Sequence, residues 1–305
     1  MYNKYSDYLK EKYGEKVYKL PINLPLTCPN RDGCLGEGGC TFCAEEGAGH
    51  ESLENTKSVK EQLLENKDYI SSRYGAKKFI AYFQNYSNTY VELESFKKYI
   101  KEAMIEDVVE IAISTRPDCI REDYLEFLSE LDINVSFELG LQTVNYKTLK
   151  KVNRGHTLAE FIDAVNMIKK YNFEIAVHII TNLPWDEDED LIEASKIMSA
   201  LKVDQVKLHS LYIAEGTEMA RGYKAGEFEI ISKDEFVERT ILFLEYLNPK
   251  ITLQRLLGRV PEERSVFANW DMSWWKIKDE IEEKMEKENR HQGRLFNYLN
   301  GKCLK

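Results

Sequence analysis

Four of the chain's six cysteines, Cys28, Cys34, Cys40 and Cys43, fall within sixteen residues. Thiolates set that closely are the ligands of a soft metal centre. Cys40 and Cys43 form a tight C-x-x-C pair, and Cys28 reaches it across eleven residues that include Gly33, Gly36, Gly38 and Gly39. Glycine lets such a loop fold close around a cluster. Two chemistries fit the ligand count. Three thiolates on a 4Fe–4S cluster leave one iron open to a substrate or cofactor, and Cys28, Cys40 and Cys43 can be that triad. If Cys34 also binds, the site closes, as in an electron-transfer cluster or a structural zinc held by four thiolates. Cys119 and Cys303 stand apart and read as a buried and a terminal thiol.

With 305 residues, 43% of them apolar, the chain can bury a sizeable core. There is no apolar run of about 18 residues and no charged leader followed by an apolar segment, so the expected location is cytoplasmic and away from membranes. In a reducing compartment the cysteine cluster binds metal rather than forming disulfides. The formal charge of −10 argues against a uniformly basic nucleic-acid coat, while leaving room for a basic patch around a pocket.

Several elements must position the cysteine loop, residues 27–49. Residues 1–16, with Tyr2, Tyr5, Leu9 and Tyr13 at spacings of three and four, predict an amphipathic helix. A β-prone stretch, 17–26, leads directly into the loop. Helices over 57–73, 92–105, 121–131, 157–171 and 187–201 then alternate with apolar, β-branched strands over 78–83, 108–114, 133–139, 173–180 and 205–212. Six strands separated by single helices predict a parallel sheet covered by helices, in a Rossmann-like sheet or an open or closed β/α barrel. Beyond residue 215 the pattern weakens into a loop over 216–230, a helix over 233–247, an Arg-rich stretch over 251–267, and a charged helix over 276–290 packed by Ile277, Ile281 and Met285.

In parallel α/β folds the ligand site lies beyond the C-terminal ends of the strands. Here the strands end in the cysteine loop, in Gln84 to Thr89, in Ser114 to Asp118, in Glu138 to Thr143, in His178 to Pro184, and in Lys207, His209 and Tyr212. A ring of neutral hydrogen-bonding residues around a cysteine-held metal suits a large polar cofactor.

These motifs together, FQNYSNTY (83–90), STRPD (114–118), ELGLQT (138–143), NRGHT (153–157), NLP (182–184) and KLHSLYIAEGT (207–217), resemble radical S-adenosylmethionine (SAM) enzymes of the YhcC/YtqA (MnmL) type. That type is similar in turn to the catalytic subunit of the elongator complex. The resemblance runs over nearly the whole chain and implies an incomplete (β/α)6 barrel over 17–215, with an N-terminal helix over 1–16 and a C-terminal extension over 216–305. It implies a 4Fe–4S cluster on Cys28, Cys40 and Cys43, with SAM at the open iron. One-electron reduction then yields a 5′-deoxyadenosyl radical that takes hydrogen from the substrate.

Carried over by motif, the expected SAM contacts are the turn of Asn85, Ser87, Asn88 and Thr89, exposing backbone carbonyls on the amino-group side, with Gln142 and the forked Arg154 near the carboxylate. Ser114, Glu138 and His178 complete the cofactor set. The chain departs from the family pattern at Asn182, where glycine is usual, and at Gln254, where histidine is usual. The resemblance also implies tRNA as substrate, with the 5-substituent of a wobble uridine changed from carboxymethylaminomethyl to aminomethyl. A one-electron donor such as flavodoxin or ferredoxin is needed. Tyr82, Tyr86, His209 and Tyr212 are the candidates to stack on or hydrogen-bond to a flipped base, and Lys207, Arg255, Arg259 and Arg264 to meet phosphate or carboxylate. A small-molecule or peptide substrate for the same chemistry, and a non-catalytic zinc-binding module, are the competing expectations.

Overall fold

The computed structural model describes residues 1–44, 52–260 and 262–304; the end of the cysteine loop, residues 45–49, lies outside them. The chain begins with α1 (Tyr5–Tyr13), β1 (Val17–Ile22), α2 (Val59–Tyr74), β2 (Lys78–Phe83), α3 (Leu93–Ala103) and β3 (Val108–Thr115). It continues through α4 (Glu122–Ser129), β4 (Asn134–Gln142), α5 (Tyr146–Lys151), α6 (Leu158–Lys169), β5 (Glu174–Ile180), α7 (Asp188–Leu201) and β6 (Gln205–His209). Then come β7 (Ile213–Ala214), α8 (Glu218–Lys224), α9 (Lys233–Tyr246), β8 (Thr252–Arg255), β9 (Ser265–Phe267) and α10 (Trp274–Lys287).

Seven parallel strands in the order β1-β2-β3-β4-β5-β6-β8 curl into a half-barrel with helices around it. The expected partial barrel is therefore present, with one strand more than its six predicted units. The extra strand, β8, pairs with β6 within the Arg-rich stretch over 251–267, for which no strand was expected. Its four residues are too short to carry a periodicity of their own. Likewise α8 occupies part of the expected loop over 216–230, and β6 ends at His209 rather than at Tyr212.

Period-two alternation divides the sheet into two chemically different faces. On β4, Val135, Phe137, Leu139 and Leu141 point outward into the main apolar core, which also takes Leu63, Phe96, Tyr124, Phe161, Met198 and Phe236 from the helices. Their neighbours Ser136, Glu138, Gly140 and Gln142 occupy the alternate positions, facing the interior of the half-barrel. Capping boxes start α2, α6 and α9, at Ser58–Glu61, Thr157–Glu160 and Ser232–Glu235.

α1 packs on the inner face. Tyr5, Tyr8, Leu9 and Tyr13 cluster with Val17, Ile80, Tyr82 and Ala112. Tyr13 OH donates to Glu110 at 2.6 Å, and Lys12 Nζ bridges Glu110 and Glu174 at 3.2 and 2.7 Å. Leu253 N donates to Asn3 O at 2.8 Å, tying the N-terminal segment to β8 as well. The helix so covers the N-terminal ends of the inner strands and leaves their C-terminal ends open. α10 buries Ile277, Ile281 and Met285, the stripe expected from its spacing. Among the described residues, no helix is long and apolar enough to cross a membrane.

Candidate active site

The cysteine loop is fastened before any ligand is considered. Arg31 N bonds Cys28 O and Cys43 N bonds Cys40 O, at 2.8 and 2.9 Å, so each end of the triad sits on a tight turn. Thr41 N reaches Val152 O at the end of α5, and Thr41 O accepts from Met219 N on α8, both at 3.0 Å. Asn153 Nδ2 and Gly39 O add a 2.8 Å bond, and Asn30 Nδ2 and Asn153 O one of 2.6 Å. Gly155, with φ of +80°, lies where a Cβ would stand 2.5 Å from Asn30 Oδ1, so this approach of chain to loop requires glycine.

Cys28, Cys40 and Cys43 line one cavity of roughly 270 Å³ at the C-terminal ends of the strands. Cys34 is exposed and lies in the outer part of the loop beside Tyr90. Each sulphur of the triad has a nitrogen donor near it. Arg154 Nη1 and Asn30 Nδ2 lie 3.4 and 3.8 Å from Cys40 Sγ, Arg31 Nη1 lies 3.6 Å from Cys43 Sγ, and Arg116 Nη1 lies 3.9 Å from Cys28 Sγ. Burial pushes the Cys43 thiol up, the neighbouring Cys40 and Cys28 add to this, and Arg31 opposes it.

The wall beside the triad is built by Gly140, Gln142 and Arg154. Arg154 is buried, with Nη2 donating to Gly140 O and Nε without a hydrogen-bond partner. Gln142 adopts a left-handed φ of 78°, which bends the end of β4 toward the cavity.

The floor is a buried polar network centred on Glu138. Its Oε2 accepts from Tyr82 OH at 2.9 Å, from His178 Nε2 at 2.8 Å and from Lys207 Nζ at 2.9 Å, while Lys19 Nζ pairs with Oε1. Burial works against an ionised Glu138, but Lys19 and Lys207 overcome it and hold the carboxyl well below its usual range. Burial pulls Lys207 down to about 7 with Glu138 opposing, and pulls His178 down to about 4 with Lys207 adding to the effect. The direction that holds for the pair is an ionised Glu138, because three donors converge on one of its oxygens and a lysine on the other.

Of the residues expected to contact the cofactor, Ser114, Glu138, Gln142, Arg154 and His178 line this cavity, as do Tyr82, Tyr86, His209 and Tyr212. Both Glu138 oxygens, and Nε2 of His178, are already engaged with each other and with side chains of the floor. The side chains of Asn85, Ser87, Asn88 and Thr89 turn into the protein. Asn88 Nδ2 bonds Asn85 O and Ser114 O, Ser87 Oγ and Thr89 Oγ1 both meet Thr115 Oγ1, and Asn85 Nδ2 bonds Asn23 Oδ1. They lock the turn after β2, and Gln84 and Tyr86 are the residues it presents to the cavity. Residue type alone does not reveal which polar side chains of such a turn are spent on holding it. Lys207, Arg255 and Arg259 line the far wall, while Arg264 lies outside the lining. Sequence reasoning missed Lys19, Asn30, Arg31 and Arg116; a lysine in the otherwise apolar β1 was the available signal for the first.

A sequence profile described as the radical SAM superfamily matches residues 28–197, and one described as the radical SAM C-terminal domain matches 203–287. The uncharacterized protein YtqA of Bacillus subtilis is 32% identical over 98% of this chain and 94% of its own length. The tRNA uridine(34) acetyltransferase of Methanocaldococcus jannaschii is 28% identical over 55% of this chain and 31% of its own length. Among solved structures, the archaeal Methanocaldococcus infernus Elp3 superposes with a TM-score of 0.70 at 19% identity, covering 90% of this chain and 64% of that one. With its half-barrel, its cysteine-lined cavity and the profile match over more than half its length, this chain belongs to the radical SAM superfamily, whose enzymes use a 4Fe–4S cluster and SAM.

Proposed function

We propose that Cys28, Cys40 and Cys43 hold a 4Fe–4S cluster, that SAM binds beside it, and that the enzyme remodels the 5-substituent of a tRNA wobble uridine from carboxymethylaminomethyl to aminomethyl. The observation that carries the reading is the common lining of one cavity by three thiols, by Gln142 and Arg154, and by Tyr82, Tyr212, Lys207 and Arg255. The residues fit the two groups. Every thiol of the triad has a nitrogen donor suited to a cluster sulphur. Arg154, with its orphaned buried Nε, suits a carboxylate.

When bound, the cluster and SAM supply a radical that removes a hydrogen atom from the substrate. The chain's own residues do the rest. Asn30 and Arg31 set N–H groups beside the Cys40 and Cys43 sulphurs, and Arg154 and Gln142 orient the carboxylate end of SAM. The locked turn after β2 holds Gln84 and Tyr86 at the cavity wall. Tyr86 and Tyr212 supply faces on which a flipped base can stack, and the guanidinium groups of Arg255 and Arg259 line the same cavity and would receive the carboxymethyl group of the substrate. Reducing equivalents come from a one-electron donor such as flavodoxin or ferredoxin. The tRNA reading is supported by the relative that acts, by its name, on tRNA uridine 34.

The test is to digest and profile tRNA nucleosides from a strain lacking this chain. Carboxymethylaminomethyl uridine should accumulate and its aminomethyl product should vanish. Unchanged wobble uridines would overturn the tRNA reading.

A further inference from the structure

Arg116, just past β3, is 2% exposed, and beyond its approach to Cys28 it has no part in the roles assigned above. One edge of its guanidinium forks onto Asp118, with Nε to Oδ1 at 2.8 Å and Nη2 to Oδ2 at 2.6 Å. The remaining nitrogen, Nη1, points elsewhere: it donates to Arg154 O at 2.9 Å and lies 3.9 Å from Cys28 Sγ. Arg116 lines the cavity, and Asp118 is not among the lining residues. The pair is thus an oriented dipole, its cation toward Cys28 and its anion behind. Gly155 leaves room for it, since a Cβ there would come within 3.1 Å of Nη2.

We propose that the Arg116–Asp118 pair sets the reduction potential of the cluster through Cys28. The inference rests on the reading that Cys28 is a cluster ligand. Reduction adds one negative charge to the cluster and its thiolates. A buried cation with an N–H toward a ligand sulphur stabilises that reduced state and raises the potential, because little water screens it. Asp118 offsets part of the cation's field and keeps the guanidinium edge aimed. The two residues therefore act with opposite sign, which a merely structural pair would not do.

The experiment is an anaerobic redox titration of the reconstituted enzyme, followed by the electron paramagnetic resonance signal of the reduced cluster. Arg116→Met should lower the reduced-to-oxidised ratio at a fixed ambient potential by about tenfold, a midpoint about 59 mV more negative. Asp118→Asn should raise that ratio severalfold, and the double variant should fall between the two. Equal midpoints, or shifts of the same sign in both single variants, would overturn the proposal. If Arg116→Met does not fold, Asp118→Asn decides alone, and an unmoved or more negative midpoint rejects the idea. Failure of the underlying reading is seen separately, as full iron content in Cys28→Ala.

Discussion

Glu138 Oε2 and Lys207 Nζ lie 2.9 Å apart, joining β4 to β6 across the inside of the half-barrel, with both residues buried. Lys19 on β1 reaches the other oxygen, so one carboxylate links strands from opposite sides of the sheet. Glu138→Gln leaves the buried Lys207 and the half-buried Lys19 against a neutral amide, and removing one partner of a buried pair costs about 3–5 kcal/mol. Urea unfolding of the apo protein should report that loss, and Glu138→Gln with Lys207→Met should recover part of it. A loss under about 1 kcal/mol would place the network among weak surface pairs instead.

Three histidines give the fold an acid limit. Burial pulls His178 down to about 4 and His156 to about 3, and it holds His209 well below its usual range with Arg255 adding to the effect. Between pH 6.5 and 4 the unfolded chain therefore binds more protons than the folded one, so stability is lost as pH falls through this window. The slope is about 1.4 kcal/mol per pH unit for each histidine fully protonated only when unfolded. Unfolding midpoints measured from pH 7 to pH 4 should fall accordingly, and His156→Asn should flatten the curve. A pH-independent midpoint over that range would contradict the neutral, buried assignment.

Cys28→Ala, Cys40→Ala and Cys43→Ala should each lose bound iron and acid-labile sulphide, and with them 5′-deoxyadenosine formation. Cys34→Ala should retain most of both, because Cys34 is exposed and outside the cavity lining. An iron-free Cys34→Ala beside an iron-replete Cys28→Ala would mean that another triad binds.

Gly140 tests the proposed SAM wall without substituting a cysteine. A Cβ there would lie 2.8 Å from Arg154 Nη2 and 3.0 Å from Gln142 Nε2, so Gly140→Ala pushes both side chains away. Losing charge-assisted hydrogen bonds costs about 1.5–3 kcal/mol, which is roughly a tenfold to hundredfold weaker affinity for SAM by calorimetry. Iron content should be unchanged. Wild-type SAM affinity in both Gly140→Ala and Arg154→Ala would remove Arg154 from the binding wall.

The alternation of helices and strands was readable because the outward-facing residues are apolar at the period each element imposes. Val135, Phe137, Leu139 and Leu141 mark β4 as plainly as Ile277, Ile281 and Met285 mark α10. β8 was not readable: its four residues, TLQR, owe their extended form to pairing with β6, a contact remote in sequence. The polar turn after β2 was legible as a turn, but the sequence could not show that the side chains of Ser87, Asn88 and Thr89 are spent on the end of β3, with Asn88 Nδ2 bonded to Ser114 O and Ser87 and Thr89 meeting Thr115 Oγ1.

By itself the sequence determined the three-thiol spacing, the glycine-rich loop that carries it and the parallel order of repeating units, since ligand spacing and hydrophobic period are local properties. The tertiary structure decided what those thiols face. Arg116, Arg31 and Asn30 approach the sulphurs, and Lys19, Tyr82, His178 and Lys207 meet at Glu138, because the half-barrel curls seven inner faces toward one axis. Residues more than a hundred positions apart then share one weakly screened space, and their charges act on one another there, which no local pattern encodes.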